Sequence, residues 1–135
     1  MTNVVICDHK VRNLVETVRE VLTLYGHQVT EVIDDDPVAI YNAICNLPNN
    51  PDVVLTDLAH EPEDLGRSVQ DWWGTRLIQQ LRGNPHTAGI RIKVRSRYLS
   101  PDDTAYLSTL GVNPDDDILS PYCDSLTEIA EKIDK

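Results

Sequence analysis

The sequence predicts an α/β protein: a doubly wound, three-layer sandwich with a parallel sheet between two layers of helices. Three observations carry this. Short apolar runs alternate with helical periodicities five times along the chain, the pattern of a parallel sheet with crossover helices. The central run, Val53-Val54-Leu55, is continuously apolar rather than alternating, as in a strand covered on both faces. Turn and cap residues stand at the joints between these segments.

Taken in order, Asn3 to Cys7 is the first strand, and Asp8 follows it at once. From Val11 the period becomes helical. Val11, Leu14, Val15, Val18, Val21, Leu22 and Tyr25 form one stripe, and Gly26 stands at the C-terminal stop. Gln28 to Ile33 alternates and reads as a strand at a sheet edge. Asp34-Asp35-Asp36 runs into Pro37, a cap followed by proline at the first helical position, and Ile40, Ala43, Ile44 and Leu47 give that second helix its apolar face. The three acids read as a capping and solvated run rather than as a metal site.

Pro51 to Asp57 is the central strand, ending on a single acid. Residues 58–73 form a long polar loop with Glu61, Glu63, Asp64, Trp72 and Trp73, of a length that is usually functional or mobile. The tryptophans are expected to pack the start of the third helix, Gly74 to Arg82. Ile90 to Ser96 is the fourth strand. Arg91, Lys93, Arg95 and Arg97 alternate with Ile92, Val94 and Ser96, so one of its faces is basic. Either that face is open, or the acids of the long loop or of Asp115 to Asp117 lie against it. Ser100-Pro101-Asp102-Asp103 opens the fourth helix with a capping box, and Gly111 stops it. Asp117 to Ser120 is a short fifth strand, and the last helix runs from about Ser125 with Leu126, Ile129, Ala130 and Ile133 on one stripe.

The 135 residues make a single domain, 1–135, with 41% hydrophobic residues to build its core. The net charge of -10 disfavours direct nucleic-acid binding and an anionic membrane surface, both of which need clustered Lys and Arg. No apolar run reaches the length of a membrane span, and MTNVVICDHK lacks the pattern of a signal peptide, so a cytoplasmic location is expected. The three cysteines, Cys7, Cys45 and Cys123, have neither metal-ligand spacing nor an even count, and are read as reduced, buried thiols.

In a parallel sheet all strands end at one edge. That gathers Asp8, His9, Asp57, Ser96 and Ser120 around one cleft. Two close carboxylates are better tolerated beside a divalent cation, and Mg²⁺ accepts one or two carboxylates together with water and phosphate oxygens. An Asp beside a metal ion and a hydroxyl donor can act as an acyl-phosphate nucleophile.

Over nearly its whole length the chain resembles a response-regulator receiver domain of two-component signalling, with its CheY-like, flavodoxin-like fold. The resemblance rests on VVICD, PDVVLTD, GTRLIQQLR, VRS, a fourth helix ending in LG, and SPY before the last helix. It implies five parallel strands in the order 2-1-3-4-5 with five helices. It also implies a module that is not itself an enzyme beyond self-phosphorylation and dephosphorylation. Asp57 would be the phosphoacceptor, supplied by a histidine kinase or phosphotransfer protein. Asp8, Asp57 and the backbone carbonyl of Ala59 would hold Mg²⁺, Ser96 would bind the phosphoryl group and relay the change, and a downstream protein or output domain would read the switched surface. Homodimers through the fourth helix, fifth strand and fifth helix belong to the same resemblance, opposed here by like charge at Asp115 to Asp117.

Two departures from the family pattern bear on the chemistry. His9 stands where the family has a second acid, and imidazole is a poor Mg²⁺ ligand. Ser120 replaces a lysine and cannot supply its charge; Arg95 or Arg97, on the basic face of the fourth strand, would be the surrogate cation. These departures define the alternative, a phosphorylation-independent pseudo-receiver that acts as a protein-interaction module. A small nucleotide- or flavin-binding protein on the same fold is a remoter alternative, because DHKVRN is not a phosphate loop rich in Gly or Ser/Thr.

Overall fold

The computed structural model describes residues 2–8, 15–60, 63–64, 66–96, 99–119 and 126–135. His9, Arg97, Ser120, Cys123 and the start of the first predicted helix lie outside them. The elements are β1 (Asn3–Asp8), α1 (Val15–Leu24), β2 (Gln28–Ile33), α2 (Pro37–Cys45), β3 (Val53–Asp57), α3 (Trp73–Gly83), β4 (Arg91–Arg95), α4 (Pro101–Thr109), β5 (Ile118–Leu119) and α5 (Leu126–Lys132). The five strands form one sheet in the order β2-β1-β3-β4-β5, and every neighbouring pair is parallel. This is the predicted α/β sandwich.

Strand alternation divides the core into two layers. Val4, Ile6, Val53 and Leu55 pack with Val18 and Leu22 of α1 and with Ile129, Ala130 and Ile133 at α5. Val5, Cys7, Val54, Ile92 and Val94 face Ile40 and Ile44 of α2, Leu77, Ile78 and Leu81 of α3, and Leu107 of α4. All five residues of β3 are buried, which its unbroken apolar run requires. β2 sits at the edge and keeps partial exposure.

Local chemistry sets the helix boundaries. The Asp36 side chain accepts from the Val38 N–H at 2.9 Å and Pro37 begins α2, while the Asp34 carboxylate accepts from the Asp36 N–H. At α4, Ser100 and Asp103 complete the capping box in both directions, at 3.1 Å each. The Arg82 guanidinium near the end of α3 donates to the carbonyls of Leu110, Ala88 and Ile90. It thereby ties α3 to the segments flanking β4 and α4. Burial holds this guanidinium below its ordinary pKa, and Asp117 counteracts part of that.

Several expectations are corrected. Tyr25 is not on the buried stripe of α1: the helix ends at Leu24, the chain turns through Gly26 at φ 87°, and Tyr25 is half exposed. Cys45 is exposed, because it closes α2 where the apolar face has run out, whereas Cys7 is buried. The third helix starts one residue before Gly74 and ends one after Arg82, and the loop ahead of it contains a 3-10 turn at Val69–Asp71. Asp117 is not a repelling surface acid. It lies against β4, where its carboxylate accepts from Lys93.

Candidate functional site

β1 and β3 pair in register up to Cys7–Thr56. Asp8 and Asp57 each stand one residue further on, at adjacent strand ends. Both continue the alternation of Val4, Ile6, Val53 and Leu55, so both belong to the sheet face that carries α1 and α5. Asp8 is 2% and Asp57 7% exposed. Both side chains are thus buried at the carboxyl edge of adjacent strands, not on an open surface.

The backbone around Asp57 is fixed on all sides. The Thr56 hydroxyl donates to the Asp57 carbonyl at 2.9 Å. The Leu58 N–H donates to the Arg95 carbonyl at 3.1 Å, and the Gly74 N–H to the Leu58 carbonyl at 2.7 Å. α3 can approach this closely because residue 74 has no side chain. A Cβ there would lie 2.0 Å from the Asp57 carbonyl oxygen. On the other side, the Asp34 N–H donates to the Asp8 carbonyl at 3.1 Å. The acid pair is therefore positioned by main chain, on rigid elements.

The long loop is pinned by Asp64. This acid is 3% exposed, and its Oδ2 accepts from the His60 N–H at 2.6 Å and from the Trp73 N–H at 2.7 Å. The second bond satisfies a free donor of the first turn of α3. Trp73 is buried, its ring roughly perpendicular to that of His60, and its indole N–H donates to the Asp35 carbonyl at 2.9 Å. Trp72 donates to Arg67 within the same loop. The tryptophans pack the helix start as expected. Trp73 also links the loop after Asp57 to the turn before α2.

The basic face of β4 resolves residue by residue. Arg91 Nη1 donates to the Ile133 carbonyl at 3.3 Å. Lys93, fully buried, donates to Asp117 Oδ1 at 2.7 Å and to the Asp116 carbonyl at 3.1 Å. Asp117 Oδ2 also accepts from the Asn113 N–H. Arg95 is paired in register with Asp57. Ser96, 8% exposed, is one residue beyond, with its N–H on the Leu119 carbonyl. It lies outside β4, which ends at Arg95.

Asp8, Asp57 and Arg95 are thus brought together at one edge. Ser96 follows the end of the neighbouring strand, and Ala59 follows two residues after Asp57. Sequence reasoning missed Gly74 and Asp64; the only signal for either was a glycine after two tryptophans and an acid among many in a polar loop. A separate hollow of about 490 Å³ between Arg82, Arg91, Asp117 and Lys135 lies at the amino edge, away from the acids. Arg82 is already spent on backbone carbonyls there.

The described acids offer an all-oxygen donor set. Two buried carboxylates on adjacent strands fit a hard divalent cation such as Mg²⁺, which completes its shell with water and phosphate oxygens. Among the described residues, no group of three or more His, Cys, Asp or Glu side chains is placed to hold a metal ion, which sets this edge apart from an all-protein metal cage.

The fold is the one seen in CheY-like receiver domains. Chemotaxis protein CheY4 of Vibrio cholerae superposes with a TM-score of 0.75 at 13% identity, over 99% of this chain and 97% of that one. The receiver domain of a signal transduction histidine kinase from Syntrophus aciditrophicus gives 0.72 at 17% identity, over 99% and 88%. A putative response regulator from Chloroflexus aurantiacus gives 0.69 at 17% identity, over 99% and 98%. No protein-family model and no curated protein sequence matches the chain. The likeness is therefore one of fold, spanning whole domains. Among the described residues, no helix is long and apolar enough to cross a membrane.

Proposed function

We propose that this chain is a signal receiver that accepts a phosphoryl group on Asp57 and presents the change to a partner protein. The observation that carries the reading is the pair of buried carboxylates, Asp8 and Asp57, at adjacent ends of β1 and β3 in a receiver fold. In the reaction, a carboxylate oxygen of Asp57 attacks the phosphorus of a phosphohistidine or acyl-phosphate donor. An O–P bond forms, the donor's N–P or O–P bond breaks, and the electron pair leaves with the imidazole or carboxylate.

Asp8, Asp57 and the Ala59 carbonyl would hold Mg²⁺, which when bound supplies charge neutralisation for the phosphoryl group. Three hydrogen bonds hold the backbone of Asp57 and Leu58, which supports an acceptor on a fixed backbone. A histidine kinase or phosphotransfer protein is the donor that suits this chemistry. A downstream protein or output domain is the reader.

The test is incubation with acetyl phosphate, with Mg²⁺ or with chelator, followed by intact mass. A Mg²⁺-dependent phosphoryl adduct, lost in Asp57→Asn, is expected; an unmodified wild-type chain refutes the reading. One observation favours the pseudo-receiver. His9 and Ser120 stand where the resembled family has an acid and a lysine. A chain that takes no phosphoryl group yet binds a partner equally with Asp57→Asn would establish that alternative.

A further inference from the structure

The three basic side chains on the α5-facing side of β4 are not used alike. Arg91 is bonded to the Ile133 carbonyl, and Lys93 to Asp117 and the Asp116 carbonyl. Arg95, the last of the three, is part-buried, and its Nε is shielded from solvent without a hydrogen-bond partner. Its guanidinium has no hydrogen bond or ion pair among the described residues. A donor removed from water and left unmet is costly, and more so on a charged group. A cation is normally stationed in such a place for a ligand or for a state of the protein in which its partner arrives.

The position says which partner. Arg95 is the register partner of Asp57 and shares its sheet face. Its planar fork matches two oxygens of a tetrahedral oxyanion, which a point-charge ammonium does not. Two carboxylates already occupy this edge, in a chain of net charge -10. An incoming phosphate therefore meets strong repulsion that a fixed cation offsets.

We propose that Arg95 is the oxyanion-binding cation of this site, donating through its guanidinium to the phosphoryl oxygens on, or arriving at, Asp57. The proposal rests on the phosphoacceptor reading and adds to it the residue that recognises the phosphate. Ser96, next in the chain, has a hydroxyl but no charge.

The experiment has two arms. In the first, wild type, Arg95→Gln, Arg95→Lys and Asp57→Asn are treated with acetyl phosphate and Mg²⁺, and adduct formation is timed by intact mass. Arg95→Gln is expected to slow it by about tenfold or more, the scale of one charge-assisted hydrogen bond. Arg95→Lys should recover part of the loss, since it keeps the charge but not the fork. Wild-type rates in Arg95→Gln overturn the proposal and leave Asp57 as phosphoacceptor.

The second arm titrates wild type with inorganic phosphate and follows the Arg95 Nε–H resonance by proton–nitrogen NMR. It also decides the matter if Arg95→Gln fails to fold. A saturable shift of that resonance, absent from Arg91, supports the proposal. A flat response overturns it. Should wild type form no adduct while the shift is present, the phosphoacceptor reading falls and the oxyanion site stands.

Discussion

Gly74→Ala adds one methyl group where α3 meets the end of β3. The new Cβ would lie 2.0 Å from the Asp57 carbonyl oxygen, 2.7 Å from Leu58 Cα and 3.0 Å from the Asp57 carbonyl carbon. Real Cβ atoms essentially never come within 3.0 Å of such neighbours, so α3 and β3 must part by about 1 Å. All three obstructing atoms are backbone, so no rotamer change relieves them. Overpacking of this kind costs about 1–3 kcal/mol. Stretching the 2.7 Å bond from the Gly74 N–H to the Leu58 carbonyl forfeits about 1 kcal/mol more. Alanine returns up to about 1 kcal/mol of helix propensity. The net expectation is a loss of about 2 kcal/mol, or about 8 °C in Tm for a domain of this size. Urea unfolding followed by fluorescence reads it. Gly83→Ala, at the other end of the same helix, has nothing within 4 Å and serves as the control, with stability unchanged or slightly raised. A Gly74→Ala protein as stable as wild type would refute the close approach of α3 to Asp57.

Other outcomes follow from the same contacts. Lys93→Ala leaves the Asp117 carboxylate without its cation and opens a cavity, so unfolding by denaturant should show a loss of about 3–5 kcal/mol. Lys93→Met fills that volume and should cost at least about 1 kcal/mol less; equal losses would remove the cavity from the account, and no loss in either variant would remove the ion pair. Asp64→Ala strips the acceptor from the His60 and Trp73 N–H groups, for about 3 kcal/mol and a red shift of tryptophan emission. Unchanged emission would mean that the loop is not held by this acid. Burial, with the Asp8 charge adding to it, pushes the Cys7 thiol well above its ordinary value. The unfolded thiol ionises near pH ~8.5 while the folded one stays protonated, so this contribution is complete below that pH and declines above it, by up to about 1.4 kcal/mol per pH unit. Between pH 8 and 10, Cys7→Ala should lose stability less steeply than wild type by about that slope; parallel curves would contradict it.

Much of the fold could be read from residue order because its signals are local. Val53 to Leu55 cannot be half exposed, Ser100 to Asp103 can cap only a helix, and a parallel sheet then brings Asp8 and Asp57 to one edge. What stayed hidden depends on neighbours distant in the chain. The alternating cations of β4 announced a basic face and named the Asp115–Asp117 acids as one answer to it. Which of the three β4 cations is satisfied, and by what, follows from the β4–β5 register and from the end of α5. Asp64 is chemically identical to the solvated acids around it until the loop folds back on Trp73. Ser96 was placed by strand position, and the structure ends β4 one residue before it. Tyr25 kept the helical period of its predecessors, but the helix had ended.

The most direct measurement is peptide mapping by tandem mass spectrometry after treatment with acetyl phosphate, in Mg²⁺ and in chelator, on wild type and Asp8→Asn. The account predicts one phosphoryl group, located on Asp57, formed only with Mg²⁺ and strongly reduced in Asp8→Asn. A phosphoryl group on another residue, or equal labelling in chelator and in Asp8→Asn, would contradict it.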